Sequence, residues 1–232
     1  MISYLDFNFL VHGLFNTIVL AFFSIIGSMF LGTILGALRY SKAPILSWIA
    51  VAFIEITRSI PLILFIIFIH FTISPIVYQN FTASLGAFSL EFQSAIIALV
   101  LFTSAYVAEI IRSGLNSIES AQINSAKSLG LNKLQMLKYI ILPIAISRMV
   151  PALVTQFISL AKDTSLISII GGVIELTRSG EIIYERTHQE FQVLLVVAFL
   201  YFIVCFGLSC LSKKLEDKKV LFSSFGRFLS ID

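Results

Sequence analysis

Charged side chains are scarce in this sequence. Lys, Arg, Asp and Glu supply only 12% of the 232 residues, whereas 58% are hydrophobic and the mean hydropathy is +0.97. A soluble domain is usually about one-quarter charged and about half apolar. This chain has more apolar surface than one core could bury, so we infer that lipid is its solvent. The small formal net charge of +3 favours neither nucleic acid nor an acidic substrate as a partner.

Cysteines are few, and nucleotide-binding motifs are lacking. Cys205 and Cys210 lie in one apolar run and point to different faces of a helix, which argues against a disulfide or a metal site. The sequence has no Gly-x-x-x-x-Gly-Lys-Ser/Thr motif, and the paired glycines Gly171 and Gly172 are followed by no lysine. We therefore expect no catalytic residue, metal or cofactor in this chain, and any ATP dependence must come from a partner.

Long apolar runs are what the sequence does have. A membrane helix needs about 20 apolar residues, and five runs qualify, at about 14–38, 60–78, 93–111, 144–170 and 191–211. The apolar segment 44–57 leads to Arg58 and Pro61, which predicts a short surface helix before span two. We predict an all-α integral membrane protein with five transmembrane helices, formed by a single domain, 1–214, with a cytoplasmic tail, 215–232.

Lys and Arg residues predict the orientation of these spans. The segments before span one and between spans two and three contain none, whereas the loop after span three and the C-terminal tail contain several. Cytoplasmic loops carry the excess of Lys and Arg. The sequence therefore predicts the N-terminus outside and the C-terminus inside. The net acidic segment 175–190 suits the outside.

Small residues recur every fourth position in span one, at Ser24, Ser28, Gly32 and Gly36. Such a stripe lets two helix backbones approach closely in lipid. We predict a helix-packing face here, the alternative being the ordinary glycine content of membrane helices.

The loop at about 112–143 is polar and helix-forming. Gly130 predicts the end of one helix, and a second helix is expected to begin near Asn132. Long loops in compact proteins are usually functional. We therefore predict a docking surface in the cytoplasm, although a plain solvated loop is the alternative.

The spacing of this loop resembles the EAA loop of ABC importer permeases. That motif is Glu-Ala-Ala, a glycine four residues later, and Ile-x-Leu-Pro after nine more. This chain has Asn124, Ser125 and Ala126, then Gly130, then "IILP" ending at Pro143. Asn124 and Ser125 replace the first two letters of the motif, so the carboxylate that could pair with an ATPase is missing.

Four further segments resemble the polar-amino-acid branch of those permeases, which includes histidine, glutamine and glutamate/aspartate importers. They are "GLFNTIVLAFFSIIGSMFLGTILGALRYSK", "FIEITRSIPLILFIIF", "AYVAEIIRSGLNSI" and "LAKDTSLISIIG". The likeness runs from Gly13 to about Lys214, and "TRSIPL" and "KDTSL" are most similar to glutamate/aspartate permeases.

This resemblance implies a type I importer permease in the bacterial inner membrane. Such a permease pairs with a second permease, which is either the same chain or a sister chain. It binds two ATPase subunits that hold ATP and Mg²⁺, and it receives an amino acid from an extracytoplasmic binding protein. The resemblance assigns the ATPase contact to the loop residues Asn124, Ser125, Ala126, Leu129, Gly130 and Leu131.

Lys162 and Asp163 place two opposite charges inside span four. From Ile144 to Lys162 is 18 residues, or roughly 27 Å at about 1.5 Å per residue, toward the outer part of the bilayer. The ammonium can meet an amino acid carboxylate, and Asp163 can meet its ammonium group. Thr164, Ser165 and backbone amides freed at a break after Asp163 can complete this clamp. The alternative is a self-neutralising pair in which Lys162 snorkels to the interface.

Gln156 and Arg58 are the further candidates for substrate contact. No acidic residue lies within two helical turns before the clamp, which favours a neutral amide or an acidic substrate over a basic one. Glutamate/aspartate or glutamine is the expected cargo. Glu109 and Arg112 are predicted to form an ion pair at the inner interface, and His70 to pack between helices or line a pore.

Two other classes of function stay open at this point. An ion-coupled carrier or channel working without ATP could also use intramembrane Lys, Asp and His. A non-transporting scaffold subunit of a membrane complex is the third possibility. Neither accounts for the long cytoplasmic loop as directly as an ATP-driven permease does.

Overall fold

The computed structural model describes residues 4–40, 43–73 and 89–228, with side chains as far as residue 210. Every regular element in these ranges is a helix. In chain order they are α1 (Tyr4–Tyr40), α2 (Pro44–Ser59), α3 (Leu62–Phe68), α4 (Leu90–Asn116), α5 (Ser120–Ser128), α6 (Lys133–Met136), α7 (Leu142–Asp163), α8 (Leu176–Thr187) and α9 (Glu190–Phe228). Single π-helical turns, Ile69–Ile73 and Leu137–Ile141, follow α3 and α6, and a 3₁₀ helix, Thr164–Ile170, follows α7.

Within the described ranges, four stretches are long and apolar enough to cross a membrane: Tyr4–Arg39, Leu90–Asn116, Lys133–Ile170 and Glu190–Cys210. The pair Pro44–Ser59 and Leu62–Thr72, bent by 111°, brings the number to five when it is counted as one span. The predicted all-α membrane fold is confirmed. The end of predicted span two and most of the following loop, 74–88, lie outside the described residues. The domain boundaries and the orientation of the termini stay predictions.

The small-residue stripe of α1 packs against α4, as predicted. Ser24 and Ser28 are fully buried. A Cβ atom built on Gly32 would lie 2.6 Å from the side chain of Val107, and one on Gly36 would lie 3.1 Å from that of Ile111. Because glycine has no side chain at these positions, the backbones of α1 and α4 can approach each other closely.

The main core lies where α1, α3, α4 and the 3₁₀ helix meet. Its fully buried members are Leu20, Ile66, Ala95, Ala98, Leu99 and Ile167. Because Ile167 follows the predicted clamp by only a few residues, the packing of this core holds the end of α7 in place.

An ion cluster joins α1, α2 and α4. The guanidinium of Arg39 lies 2.6 Å from Glu109 and 3.6 Å from Glu55. Arg112 also pairs with Glu109, which confirms the predicted helical ion pair. Arg39 extends that pair into a cluster that connects three helices, a feature that sequence spacing along one helix could not reveal.

Candidate functional site

The predicted break with freed backbone amides after Asp163 is not found, because the helical path continues and the N–H of Thr164 donates to the carbonyl oxygen of Leu160. The α-helix ends at Asp163 and the chain tightens into the 3₁₀ helix, which ends at Gly171 with a φ of 77°. Lys162 lies on the last turn of α7 and points into a groove of about 340 Å³ between α7 and α9. Ile158 and Lys162 line one wall, and Tyr201, Phe202 and Cys205 belong to the other. The groove is thus mostly apolar, and its polar groups include the ammonium of Lys162, the phenol of Tyr201 and the hydroxyl of Ser209.

Lys162 and Asp163 are not paired with each other. Consecutive residues on an α-helix point about 100° apart, and among the described residues no ion pair joins these two. Lys162 is exposed and Asp163 is half-buried. In the described part of the chain the two side chains thus form no direct ion pair, and the role of both charges stays a prediction.

The remaining predicted contact residues are spread more widely. Thr164 is fully buried, and its hydroxyl donates to the carbonyl oxygen of Ala161 at 2.8 Å. Ser165 is half-buried in the first turn of the 3₁₀ helix. Gln156 lies six residues before Lys162, on a different face of α7, and is not among the described residues that line the groove.

Arg58 lies at the end of α2, away from these residues. Its guanidinium carbon is 5.4 Å from the centre of the Tyr106 ring on α4, a cation–π distance. The structure therefore gives Arg58 a packing partner on α4.

A buried carboxyl group lies behind the groove. Glu175 is 0% exposed and accepts hydrogen bonds from the backbone N–H groups of Thr177 and Arg178, each at 2.7 Å. The hydroxyl of Tyr201 donates to the same carboxylate at 3.0 Å and lies 3.1 Å from the hydroxyl of Thr177. Burial outweighs these hydrogen bonds and raises the pKa of Glu175 from 4.5 to about 7.

The segment around Glu175 is fixed to α1. The amide of Asn16 donates to the carbonyl oxygen of Ile174 at 2.8 Å, and the N–H of Leu176 donates to the hydroxyl of Thr17 at 3.0 Å. A Cβ on Gly13 would lie 2.2 Å from the Ser179 hydroxyl, so α8 packs directly on the α1 backbone. Arg186 and Asp6 form an ion pair farther along the same contact.

Sequence reasoning did not identify Glu175 or Tyr201. Helix N-caps are usually Ser, Thr, Asp or Asn. A glutamate before α8 therefore did not stand out as a cap, and Glu175 contributed only to the net acidic charge of the segment 175–190. Tyr201 is the one tyrosine between residues 190 and 210. A buried phenol usually finds a hydrogen-bond partner, so its presence in an apolar run was the available signal.

The polar loop forms the two predicted helices. Gly130 has a φ of 74° directly after α5. The N–H of Gly130 donates to the carbonyl oxygen of Lys127 at 2.9 Å, and the N–H of Leu131 donates to the carbonyl oxygen of Ala126 at 3.3 Å. These two hydrogen bonds are the pattern of a Schellman motif. Asn132 then starts α6 with a capping box to Gln135. The prediction of a helix end at Gly130 and a start near Asn132 is confirmed.

The loop presents apolar and polar side chains to solvent. Leu129 and Leu134 are each 77% exposed. Asn124, Ser125 and Gly130 are also exposed, whereas Ala126 is buried and Leu131 half-buried. Two exposed leucines on a rigid polar loop make a surface that a protein partner can cover.

Two contacts join the helices α4 and α7 near the points where the loop leaves one and enters the other. Arg148 of α7 donates to the carbonyl oxygen of Ser117, just after α4. The side chain of Met149 fills the space beside Gly114, where a Cβ would lie 2.3 Å from its Cγ. The loop is therefore flanked by two helices in direct contact, one of which, α7, carries Lys162.

Other polar groups offer little chemistry. His70 lies in the π-helical turn, with Nδ1 2.8 Å from the hydroxyl of Ser94, which itself donates to Glu91. His70 is thus a helix-packing residue between α3 and α4. In the part of the chain that the structure describes, no three His, Cys, Asp or Glu residues are grouped as metal ligands would be.

The apolar spans, the charged end of α7 and the polar loop with two exposed leucines are features of a multi-pass membrane protein. Residues 28–220 match the family described as "Binding-protein-dependent transport system inner membrane component". The chain belongs to this family of inner-membrane transport components, which depend on a binding protein.

Individual relatives agree over nearly the whole chain. The probable glutamine ABC transporter permease protein GlnP of Bacillus subtilis (strain 168) is 42% identical over 215 residues, 91% of this chain and 94% of its own. The glutamate/aspartate import permease protein GltK of Escherichia coli O6:H1 is 32% identical over 210 residues, covering 90% and 93% of the two chains. A crystal structure of an amino acid ABC transporter with histidines superposes with a TM-score of 0.80 at 28% identity, covering 94% of this chain and 99% of that chain.

Family membership decides among the classes left open by the sequence. A binding-protein-dependent transport component is neither an ion-coupled carrier nor a scaffold. The long loop, which those alternatives did not explain, is part of the family's region of match.

Proposed function

We propose that this chain is the permease of an ATP-driven importer that moves glutamine, or glutamate and aspartate, into the cytoplasm. The relatives named for glutamine and for glutamate/aspartate transport support this choice of cargo. The observation that carries the proposal is the position of Lys162, whose ammonium lines a groove at the end of a membrane-spanning helix. An ionisable side chain at this depth costs about 3 kcal/mol on insertion scales, and such residues usually face a polar path.

The proposed substrate site is the end of α7. Lys162 meets the carboxylate of the amino acid, and Asp163 meets its ammonium group. The hydroxyl of Ser165 completes the site, while Thr164 holds the 3₁₀ turn by its hydrogen bond to the carbonyl oxygen of Ala161. Gln156 and Arg58 are the proposed contacts for the substrate side chain. This role requires that assembly of the transporter places both residues beside the substrate path.

The proposed site needs a second permease. Lys162 is exposed on this chain, and so are many large apolar side chains of the spans. A second copy or a sister chain would cover the groove, exclude lipid from Lys162 and close a polar path between the two subunits. The proposed orientation, N-terminus outside and C-terminus inside, puts this groove toward the outer side, where a binding protein delivers the amino acid.

The proposed ATPase contact is the loop centred on Gly130. Asn124, Ser125, Ala126, Leu129, Gly130 and Leu131 make up its docking surface, and an ATPase dimer holds ATP and Mg²⁺. Asn124 offers an amide where the related motif has a carboxylate, so apolar contact through Leu129 supplies most of the attachment. Arg148 and Met149 then transmit movement of the loop to α7.

The test is uptake by proteoliposomes that contain the whole transporter with its ATPase and binding protein. Labelled L-glutamine, L-glutamate, L-aspartate and L-arginine are offered with ATP inside and, in a parallel sample, without ATP. We expect ATP-dependent uptake of glutamine or of the acidic pair, and none of arginine. ATP-independent uptake, or arginine as the preferred cargo, would contradict the proposal.

A further inference from the structure

Glu175 connects two parts of the molecule that are separate in sequence. One oxygen, Oε1, accepts the N–H of Arg178, and Oε2 accepts both the N–H of Thr177 and the hydroxyl of Tyr201. The first two bonds cap the start of α8. The third reaches across to α9, where Tyr201 forms part of the groove wall facing Lys162.

We propose that Glu175 is a positioning residue for transport: through its hydrogen bond to Tyr201 it sets the groove wall opposite Lys162 and ties that wall to the start of α8. This inference rests on the proposed function, because it takes the groove beside Lys162 as the substrate path.

The identity of the residue supports a role beyond capping. A helix N-cap is served best by Asp, Asn, Ser or Thr, whose short side chains reach the N–H groups of the first turn. Glutamate is one methylene longer. Here the extra length lets a single carboxylate serve both the first turn of α8 and the Tyr201 hydroxyl on another helix.

The location of the cluster indicates how it would act on the groove. The backbone carbonyl of Glu175 accepts both the N–H and the hydroxyl of Ser179 at 2.8 Å, and the preceding residue, Ile174, is bonded to α1. Glu175 is therefore held from three sides. Tyr201, whose hydroxyl is bonded to this fixed carboxylate, cannot swing into the groove without losing that bond.

The experiment uses substitutions that separate the cap from the link to Tyr201. Glu175→Asp keeps a carboxylate suited to an N-cap but is too short for the Tyr201 hydroxyl. Tyr201→Phe keeps the ring in the groove wall and removes only the hydroxyl. The double variant Glu175→Asp/Tyr201→Phe completes the cycle. Glu181→Asp is the matched control, since Glu181 is an ion-paired carboxylate on the same helix that bonds to Arg178 instead.

Each variant is assembled with its ATPase and binding protein, and three quantities are measured: the melting temperature, the ATPase activity without substrate and the initial rate of L-glutamine and L-glutamate uptake. A hydrogen bond to a charged group is a strong one, so we expect Glu175→Asp and Tyr201→Phe each to lower uptake about tenfold. The double variant should be no slower than either single variant. Each substitution at Glu175 or Tyr201 removes a hydrogen bond of the buried carboxylate, so the melting temperature should fall modestly, whereas basal ATPase activity should stay near wild type and Glu181→Asp should transport normally.

A purely structural role for Glu175 gives a different pattern. If Glu175→Asp transports at the wild-type rate because the cap survives, or if the two single losses multiply in the double variant, the positioning role is wrong. If Glu175→Asp unfolds, Tyr201→Phe still decides, because normal uptake in that variant overturns the proposal. Failure of the proposed function itself looks different again, since wild type would then show no ATP-dependent amino acid uptake at all.

Discussion

The loop glycine Gly130 offers the sharpest test of how the permease meets its ATPase. Gly130 has a φ of 74°, and a Cβ built on it would meet nothing within 4 Å. A side chain at this position therefore causes no clash, and its whole cost comes from the backbone. The left-handed conformation costs an ordinary L-residue about 1–2 kcal/mol, asparagine less, and a β-branched residue more.

These costs convert into populations of the correctly shaped loop. Every 1.4 kcal/mol is a factor of ten, so Gly130→Ala should reduce the docking-competent form roughly fivefold to thirtyfold. Gly130→Val should reduce it about thirtyfold or more, and Gly130→Asn should be close to wild type. The order Gly, Asn, Ala, Val is the signature of a conformational requirement, because side-chain volume alone would place Asn beyond Ala.

The assay is co-purification of the ATPase with each permease variant, together with ATP hydrolysis stimulated by the loaded binding protein. Gly171→Val is the matched control, since Gly171 has a φ of 77° and equally open surroundings but lies beyond the clamp. It should leave ATPase association intact. Normal association and stimulation in Gly130→Val would refute the reasoning.

Three further predictions concern packing, charge and topology. Gly32→Ala should cost about 1–3 kcal/mol of stability by overpacking α1 against Val107. Gly207→Ala is the control and should cost nothing, because a Cβ there meets nothing within 4 Å. Equal melting temperatures of the two variants in detergent would contradict the close contact. Burial raises the pKa of Glu175 from 4.5 to about 7, so the folded protein binds this proton more tightly than the unfolded chain does. The contribution of Glu175 to stability is therefore fully present below about pH 4.5 and is lost as the pH rises through about 7. Glu175→Gln should remove that part of the pH dependence of thermal unfolding, and an unchanged slope would argue against a buried titrating carboxyl. Single cysteines are introduced at Ser128 and at Glu185 in a chain whose Cys205 and Cys210 are replaced by serine. They should react with an impermeant reagent from opposite sides of the membrane, the cysteine at position 185 from outside. Labelling of both positions from the same side would overturn the predicted topology.

Much of the fold was accessible from local patterns. Runs of apolar residues predicted the membrane class, and Gly130 with Asn132 predicted a helix end and start that the Schellman motif and capping box confirm. The stripe from Ser24 to Gly36 predicted a packing face. These features depend on a few residues close in sequence, so periodicity and turn chemistry were sufficient to find them.

Contacts between distant segments could not be predicted in this way. Arg39 and Glu109 are 70 residues apart, and Tyr201 and Glu175 are 26 residues apart on different helices. Only the folded arrangement makes them partners. The same holds for the groove, since Lys162 was a candidate from its place in span four but its opposite wall, Tyr201 and Phe202, comes from span five.

The central claim is that Lys162 and Asp163 hold the two charges of the amino acid, and a cycle of neutral variants tests it most directly. Uptake of labelled L-glutamine and L-glutamate is measured for Lys162→Met, Asp163→Asn and the double variant, each assembled with the ATPase and binding protein. In the proposed site, Lys162 pairs with the carboxylate of the bound amino acid and Asp163 with its ammonium group. Removing one partner of such a buried charge pair costs about 3–5 kcal/mol, so each single variant should lose a few hundredfold or more in transport while ATPase docking persists. The account predicts that the double variant stays inactive, because the zwitterion has then lost both contacts. Recovery of uptake in the double variant would contradict it, since it would show that the two charges only neutralise each other.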